Sequence, residues 1–187
     1  MVRDYLSERE IESLLKLDMP LRGLDNAKDL FLFCCFTGLA YIDLKNLSVR
    51  HIQFENGRFW IRTRRQKTNV KSNIPLLEFP LNLIKKHCPD FERMDADEKI
   101  FRVITNQKLN EHLKELAKLA EIKKSLTFHI ARHTFATTIT LNNGVPIESV
   151  SSMLGHKHIT TTQHYAKLLD KKLEVDMDNL SKKLNFH

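Results

Sequence analysis

The sequence predicts a mainly α domain carrying one small three-stranded antiparallel β-sheet. Three observations carry that expectation: helix-spaced apolar residues with recognisable caps on both sides of the chain's middle, strict alternation between Val49 and Leu76, and an Asn-Gly pair inside the alternating stretch. No repeat, low-complexity tract or obvious linker divides the 187 residues, which are enough to bury one core.

Ser7 followed three residues later by Glu10 is a capping box, opening a helix that runs to about Leu17, with Pro20 and Gly23 ending it. A second helix, about Asp25 to Phe36, is apolar nearly all round through "LFLFCCF" and belongs at the centre of the core. A Gly turn follows, and "TGLAYIDL", Thr37 to Leu44, starts a new helix-like segment. The alternating region reads as "VRHIQF", a tight Asn56-Gly57 hairpin turn, "RFWIRTR" and "NVKSNIPL". In its middle strand Phe59, Ile61 and Thr63 share one face and Trp60, Arg62 and Arg64 the other. One side then suits packing on helices and the other suits phosphates, with Lys67 at the tip of the second turn. Helices follow near Leu81–His87, Asn106–Ala120, Thr127–Asn142, Pro146–Leu154, Thr160–Leu169 and Lys171–Leu184. Gly144 and Gly155 stand where C-caps belong, and Pro146 suits a first turn.

Charge is concentrated rather than spread. The net charge is +7, and between Lys45 and Lys71 stand Lys45, Arg50, Arg58, Arg62, Arg64, Arg65, Lys67 and Lys71 against the single acid Glu55. Outside that stretch acidic and basic residues balance, so it carries the whole excess. Such a stripe is the footprint of a polyanion-binding face, because Lys and Arg contacts to phosphates release condensed counterions; a merely solvated surface is the plainer alternative. The apolar run Leu30 to Ile42 is too short to span a bilayer and the N-terminus has no signal-peptide core, so an intracellular protein is expected. Cys34, Cys35 and Cys88 outline neither a disulfide framework nor a paired metal site and read as reduced thiols.

Chemistry-bearing residues cluster in "FHIARHTFATT" and "MLGHKHITTTQHYA". On a helix His129, Arg132 and His133 share one face, with Phe128, Ala131, Phe135 and Ile139 on the buried one. Gly155-His156 follows a helix end, and Tyr165 comes nine residues later on another short helix. Taken singly, each has an ordinary structural reading as a hydrogen-bonded histidine or a packing aromatic. A zinc site from His129, His133, His156, His158 and His164 is a second reading, opposed by the lack of a nearby carboxylate and by the fixed cation of Arg132. A third is phosphoryl transfer to a tyrosine. Attack of a phenolic oxygen on a phosphodiester needs cations around the transition state, a proton acceptor for the Tyr and an acid for the departing 5′-oxygen. Arg132, His156, His129, Lys67 and Tyr165 fit those roles without a metal.

The H-x-x-R of "HIAR", the "LGH" nine residues before the Tyr of "LGHKHITTTQHY", and the Lys of "RRQKT" ahead of "IPL" together resemble the catalytic domain of tyrosine recombinases, the phage and transposon integrases. The match runs from about Leu6 to Leu169, with 170–187 as a C-terminal tail, and looks most like integrases of Bacteroides-group mobile elements. The resemblance implies the DNA breaking-rejoining fold and a bacterial, cytoplasmic, site-specific recombinase acting on double-stranded DNA for integration or excision. Such enzymes cut through a 3′-phosphotyrosine, assemble as tetramers on DNA, and need no metal or nucleotide cofactor. Carried over by position, Tyr165 is the nucleophile, Arg132 and His156 bind the scissile phosphate, His129 assists proton transfer and Lys67 is the general acid. Asp43 matches an acidic position that orients catalytic side chains, and Arg50, Arg58, Arg62, Arg64, Arg65 and Lys71 are expected at the DNA.

One departure stands out. Where the family pattern is TGLR-x-x-E-L, this chain has Ala40 in place of the first catalytic arginine. Loss of that group could cost about 3 to 5 kcal/mol of transition-state stabilisation. Either another cation fills the gap, with Lys28 and Arg65 as candidates, or the chain is a catalytically impaired DNA-binding module. The resemblance also leads one to expect the core-binding and arm-binding domains of longer integrases to be missing, leaving a fragment, monomeric alone and with weak DNA affinity. The tail's apolar residues, Leu168, Leu169, Leu173, Val175, Met177, Leu180 and Leu184, suit a helix packed on its own domain or docked in a neighbouring subunit.

Overall fold

A computed structural model describes residues 4–18, 22–166 and 170–184. Helix α1 spans Glu8–Lys16 and its N-terminus is closed reciprocally: Glu10 N–H donates to Ser7 Oγ at 3.3 Å and Ser7 N–H to the Glu10 carboxylate at 2.7 Å. The chain leaves the helix at Leu17 in extended conformation, and Gly23, expected to end α1, lies instead in the first turn of α2, Arg22–Thr37. It fits there because that position looks only onto His112, 3.8 Å from where a Cβ would stand. Pro20, Leu168 and Leu169 lie outside the described residues, as do the side chains of Leu173 and Val175.

Helix α2 is the axis of the core. Leu30, Phe31, Leu32, Phe33, Cys34 and Cys35 are all fully buried, which is what an all-round apolar helix requires. It packs against α4 (Glu78–His87), α5 (Asn106–Leu119) and α6 (Phe128–Thr134). The three cysteines are free and buried, and burial holds the Cys34 and Cys35 thiols well above their ordinary range. A polar clamp also joins α2 to α4: the buried Asp29 carboxylate lies 2.7 Å from both His87 Nε2 and Lys86 Nζ, and Lys86 reaches Asp25 at 2.8 Å.

After α2 the chain turns on Gly38 (φ +71), where a Cβ would come within 2.5 Å of the Phe135 ring and 2.9 Å of Leu154. Only glycine allows that approach. Helix α3, Tyr41–Asn46, follows, with Ala40 at its N-cap. The sheet is antiparallel in the order β1 (Ile52–Glu55), β2 (Arg58–Arg64), β3 (Lys71–Pro75), with Ile61 opposite Ile52 and Ile74. Asn56 and Gly57 both have positive φ, as the tight hairpin demands. The first strand starts later than the alternation suggested. Val49–His51 forms a 3₁₀ turn because Val49 and Arg50 donate their N–H groups to the carbonyls of Glu98 and Ala96 rather than to β2.

The periodicity predicts a continuous helix over Thr127–Asn142, but the segment changes pitch twice. Helix α6 passes into a π-helical turn, Phe135–Thr140, and a 3₁₀ turn, Leu141–Asn143, which ends at left-handed Gly144. Buried threonine hydroxyls explain the change. Thr140 Oγ1 donates to the carbonyls of Phe135 and Ala136, and Thr138 Oγ1 donates to the carbonyl of Leu6, which anchors the N-terminal segment. Helix α7 (Ile147–Leu154) starts after Pro146, which is the cap residue rather than part of the first turn, and ends at left-handed Gly155. Helices α8 (Ile159–Ala166) and α9 (Asp170–Leu184) complete the chain. Met177, Leu180 and Leu184 of α9 are exposed, so these three do not pack back on the domain. Among the described residues no helix is long and apolar enough to cross a membrane.

Burial alone would raise the pKa of Asp29, but the hydrogen bonds from His87 and Lys86 outweigh it and hold the carboxyl below its ordinary 3.8. A lowered folded-state pKa contributes stability above the unfolded value and loses it as pH falls through the folded one. Asp29→Asn should therefore lower stability by about 2 kcal/mol at pH 7, roughly 4–8 °C in Tm, and flatten the acid limb below pH 4 in thermal melts.

Candidate active site

Arg132, on α6, is only 5% exposed, and its guanidinium is the hub of the site. Nη1 donates to the carbonyl of Gly38 at 2.6 Å, and Nη2 donates to the carbonyl of Leu154 at 2.6 Å and lies 3.0 Å from His156 Nε2. The two carbonyls stand just past α2 and at the last residue of α7, helix ends that lack intrahelical partners. Tyr165 lies within electrostatic reach of Arg132. Burial, and then the charge of Arg65, draw the Arg132 pKa down to about 10 against the opposing pull of Tyr165 and Asp43, which leaves it a cation at neutral pH.

Left-handed Gly155 presents His156 at the end of α7. The His156 Nδ1 lies 2.8 Å from Thr162 Oγ1, and its ring is parallel to that of Tyr165, centroids 6.2 Å apart. Burial first, then Arg132 and Arg65, lower the His156 pKa to about 4, so the ring is neutral at physiological pH. His133, 4% exposed, has its ring centroid 5.1 Å from that of Tyr165 and 4.5 Å from that of His129, which lies one ring further out and exposed. Helical spacing put all three α6 residues on one face; it could not say that His133 rather than His129 is the ring beside Tyr165.

Beneath Ala40 the acid of α3 organises the second hairpin. Asp43 Oδ1 accepts the Gln66 N–H at 2.8 Å, and its Oδ2 is 3.6 Å from Arg65 Nε. The Arg65 stem lies against Gly155, where an added Cβ would come within 2.8 Å of Arg65 Cγ. Its side chain is 13% exposed, and Nε is buried with no hydrogen-bond partner among the described residues. Arg65 thus brings a second cation within electrostatic reach of Arg132 and His156. Lys28 is held elsewhere. Its Nζ donates to the Leu17 carbonyl at 2.7 Å and lies 3.6 Å from Asp25, about two and a half turns before the end of α2.

Lys67 is exposed in the turn Gln66-Lys67-Thr68. Thr68 Oγ1, next to it, donates to the Gly155 carbonyl at 3.4 Å, and Ser72 Oγ donates to the Met153 carbonyl, so the hairpin is tied to the end of α7. The basic stripe divides. Arg64 and Lys71 are exposed and line a concavity of about 600 Å³ beside Asp43, together with His51 and Arg62. Arg58 is exposed at the Asn-Gly turn, and Arg50 pairs with Asp97. The Trp60–Arg62 face is less open than its alternation implied. Arg62 pairs with Glu55 and lies 4.5 Å over the Trp60 ring, and both line a groove of about 740 Å³ against Phe135, Ile139 and Met153. The five histidines of the zinc reading do not converge: His158 and His164 are exposed, and no group of three or more His, Cys, Asp or Glu suited to a metal occurs among the described residues.

A family model, described as the phage integrase family, matches residues 4–172. The chain is 28% identical to tyrosine recombinase XerD of Proteus mirabilis over 91% of its own length and 56% of the relative's. It superposes on a XerH site-specific recombinase bound to palindromic difH substrate, in a post-cleavage complex, with a TM-score of 0.72 at 20% identity, covering 95% of this chain and 53% of that one. The crystal structure of a XerA recombinase matches with a TM-score of 0.72 at 23% identity, over 100% of this chain and 67% of that chain. The fold is that of these recombinases' catalytic domains, and the chain spans 56% of the first such curated relative's length.

Arg65→Gln removes one of the two cations that, after burial, depress the His156 imidazole. The His156 pKa should then rise from about 4 toward its ordinary 6.5 in an NMR titration, whereas Lys28→Gln leaves it unmoved.

Proposed function

Because the chain belongs to the phage integrase family, we propose that it cleaves and rejoins double-stranded DNA through a 3′-phosphotyrosine, as a site-specific recombinase. The observation that carries this reading is the placement of Tyr165 beside the buried Arg132–His156 pair, its ring parallel to that of His156 with centroids 6.2 Å apart, which sets a nucleophile near a buried cation within one chain. In the proposed step the Tyr165 oxygen bonds to phosphorus as the bond to the 5′-oxygen breaks. The phenolic proton leaves toward the paired rings of His133 and His129, and Lys67 supplies the proton that the 5′-oxygen takes up. Arg132 and Arg65 take the non-bridging oxygens, with Arg65 replacing the cation missing at Ala40. In the free protein His156 holds Arg132 in place; the negative phosphate favours its protonation, which makes Nε2 a donor to the same oxygens. Asp43 orients the Arg65 hairpin, and the exposed cations Arg58, Arg64 and Lys71 contact the flanking backbone.

A mobile-element role akin to that of Bacteroides-group integrases is supported by "DLFLFCCFTGLAYIDL" and the "RRQKT" run. Assembly on DNA into a tetramer is supported by the exposed Met177, Leu180 and Leu184 of α9, which offer an apolar stripe to a neighbouring subunit. The second reading, a DNA-binding module without cleavage, has Ala40 as its support.

On a nicked suicide duplex, wild type should accumulate a covalent protein–DNA adduct with or without EDTA. Tyr165→Phe should bind the duplex and form none. Absence of adduct from both would leave the binding-module reading, and loss of the adduct in EDTA would favour a metal enzyme.

A further inference from the structure

Thr162 is fully buried on α8, three residues before Tyr165 and so on the same face of that helix. Its hydroxyl meets the His156 ring, and the chemistry of that ring's partners fixes the direction of the contact. A guanidinium can only donate, so the 3.0 Å contact from Arg132 Nη2 requires a lone pair on His156 Nε2. A neutral imidazole with a lone pair on Nε2 carries its proton on Nδ1, and Nδ1 lies 2.8 Å from Thr162 Oγ1. The hydroxyl therefore accepts at this contact.

We infer that Thr162 is a positioning residue for the cleavage reaction: by accepting from His156 Nδ1–H it keeps the Nε2 lone pair on Arg132 and fixes the rotation of the short helix that carries Tyr165. The inference rests on the recombinase reading of the same site. With Thr162 in place, the Nδ1 proton has its partner whether the ring is neutral or becomes protonated beside a phosphate. Without it the buried Nδ1–H has no acceptor, and the opposite tautomer would turn an N–H against the Arg132 donor. The parallel His156 and Tyr165 rings, 6.2 Å apart, then lose the hydrogen bond that ties the end of α7 to α8.

The test compares Thr162→Val, which keeps the shape and removes the acceptor, with Thr162→Ser, which keeps the acceptor and removes a methyl. In DNA-free protein, nitrogen-15 NMR of wild type and Thr162→Ser should show His156 protonated at Nδ1, with Thr162→Val showing a mixed or reversed tautomer. On the nicked suicide duplex, Thr162→Val should form adduct about 10- to 100-fold more slowly at unchanged DNA affinity, and Thr162→Ser should recover most of the rate. Adduct formation by Thr162→Val at the wild-type rate, equal impairment of the Ser and Val variants, or an Nε2 proton in wild type would overturn the assignment. The NMR arm stands even if wild type forms no adduct, so failure of the recombinase reading and failure of this one are distinguishable.

Discussion

The site depends on one buried cation. Arg132 is out of water, and a guanidinium in that position is tolerable only when its donors are satisfied. They are met by the carbonyls of Gly38 and Leu154 and by His156, so the same bonds that make the cation affordable also gather three parts of the chain: α6, the Gly38 turn and the end of α7. The Gly38 turn brings Ala40 and Asp43 into place, the end of α7 brings His156, and α8 brings Tyr165. Fold and site are held by one set of interactions. Loss of the side chain would leave two buried carbonyls without partners as well as removing a charge.

A second cation beside the first changes the electrostatics. Arg65 depresses Arg132 and His156 alike, and Asp43 offsets only part of that charge. Under the proposed function a phosphate between these cations would relieve the repulsion that the folded chain otherwise bears. The buried Arg65 Nε, with no hydrogen-bond partner among the described residues, points to the same conclusion. The hairpin has a related logic: Asp43 grips Gln66 and Thr68 grips Gly155, while Lys67 between them stays exposed.

Much of this was legible in the sequence. The capping box at Ser7, the Asn-Gly hairpin and the left-handed glycines at 144 and 155 are local chemistry, and each appears where its residues required. The all-round apolar character of α2 likewise announced its central burial. What failed were choices settled by distant partners. Alternation could not reveal that Val49–His51 would hydrogen-bond to residues 96–98, nor periodicity that threonine hydroxyls would convert Phe135–Thr140 to a π turn. Among site residues, motif spacing located Arg132, His156 and Tyr165 but could not choose between Arg65 and Lys28. The positions of Arg65 against Asp43 and Gly155, and of His133 beside Tyr165, depend on contacts between distant segments that spacing does not encode.

Whether the charge absent at Ala40 enters from Arg65, as proposed, is decided most directly by the rate of adduct formation by Arg65→Ala and Ala40→Arg on a nicked suicide duplex. Arg65→Ala should lose about 100- to 1,000-fold, Ala40→Arg alone should gain nothing, and the combination should recover part of the loss. A wild-type rate in Arg65→Ala, or a faster rate in Ala40→Arg alone, would contradict the proposal.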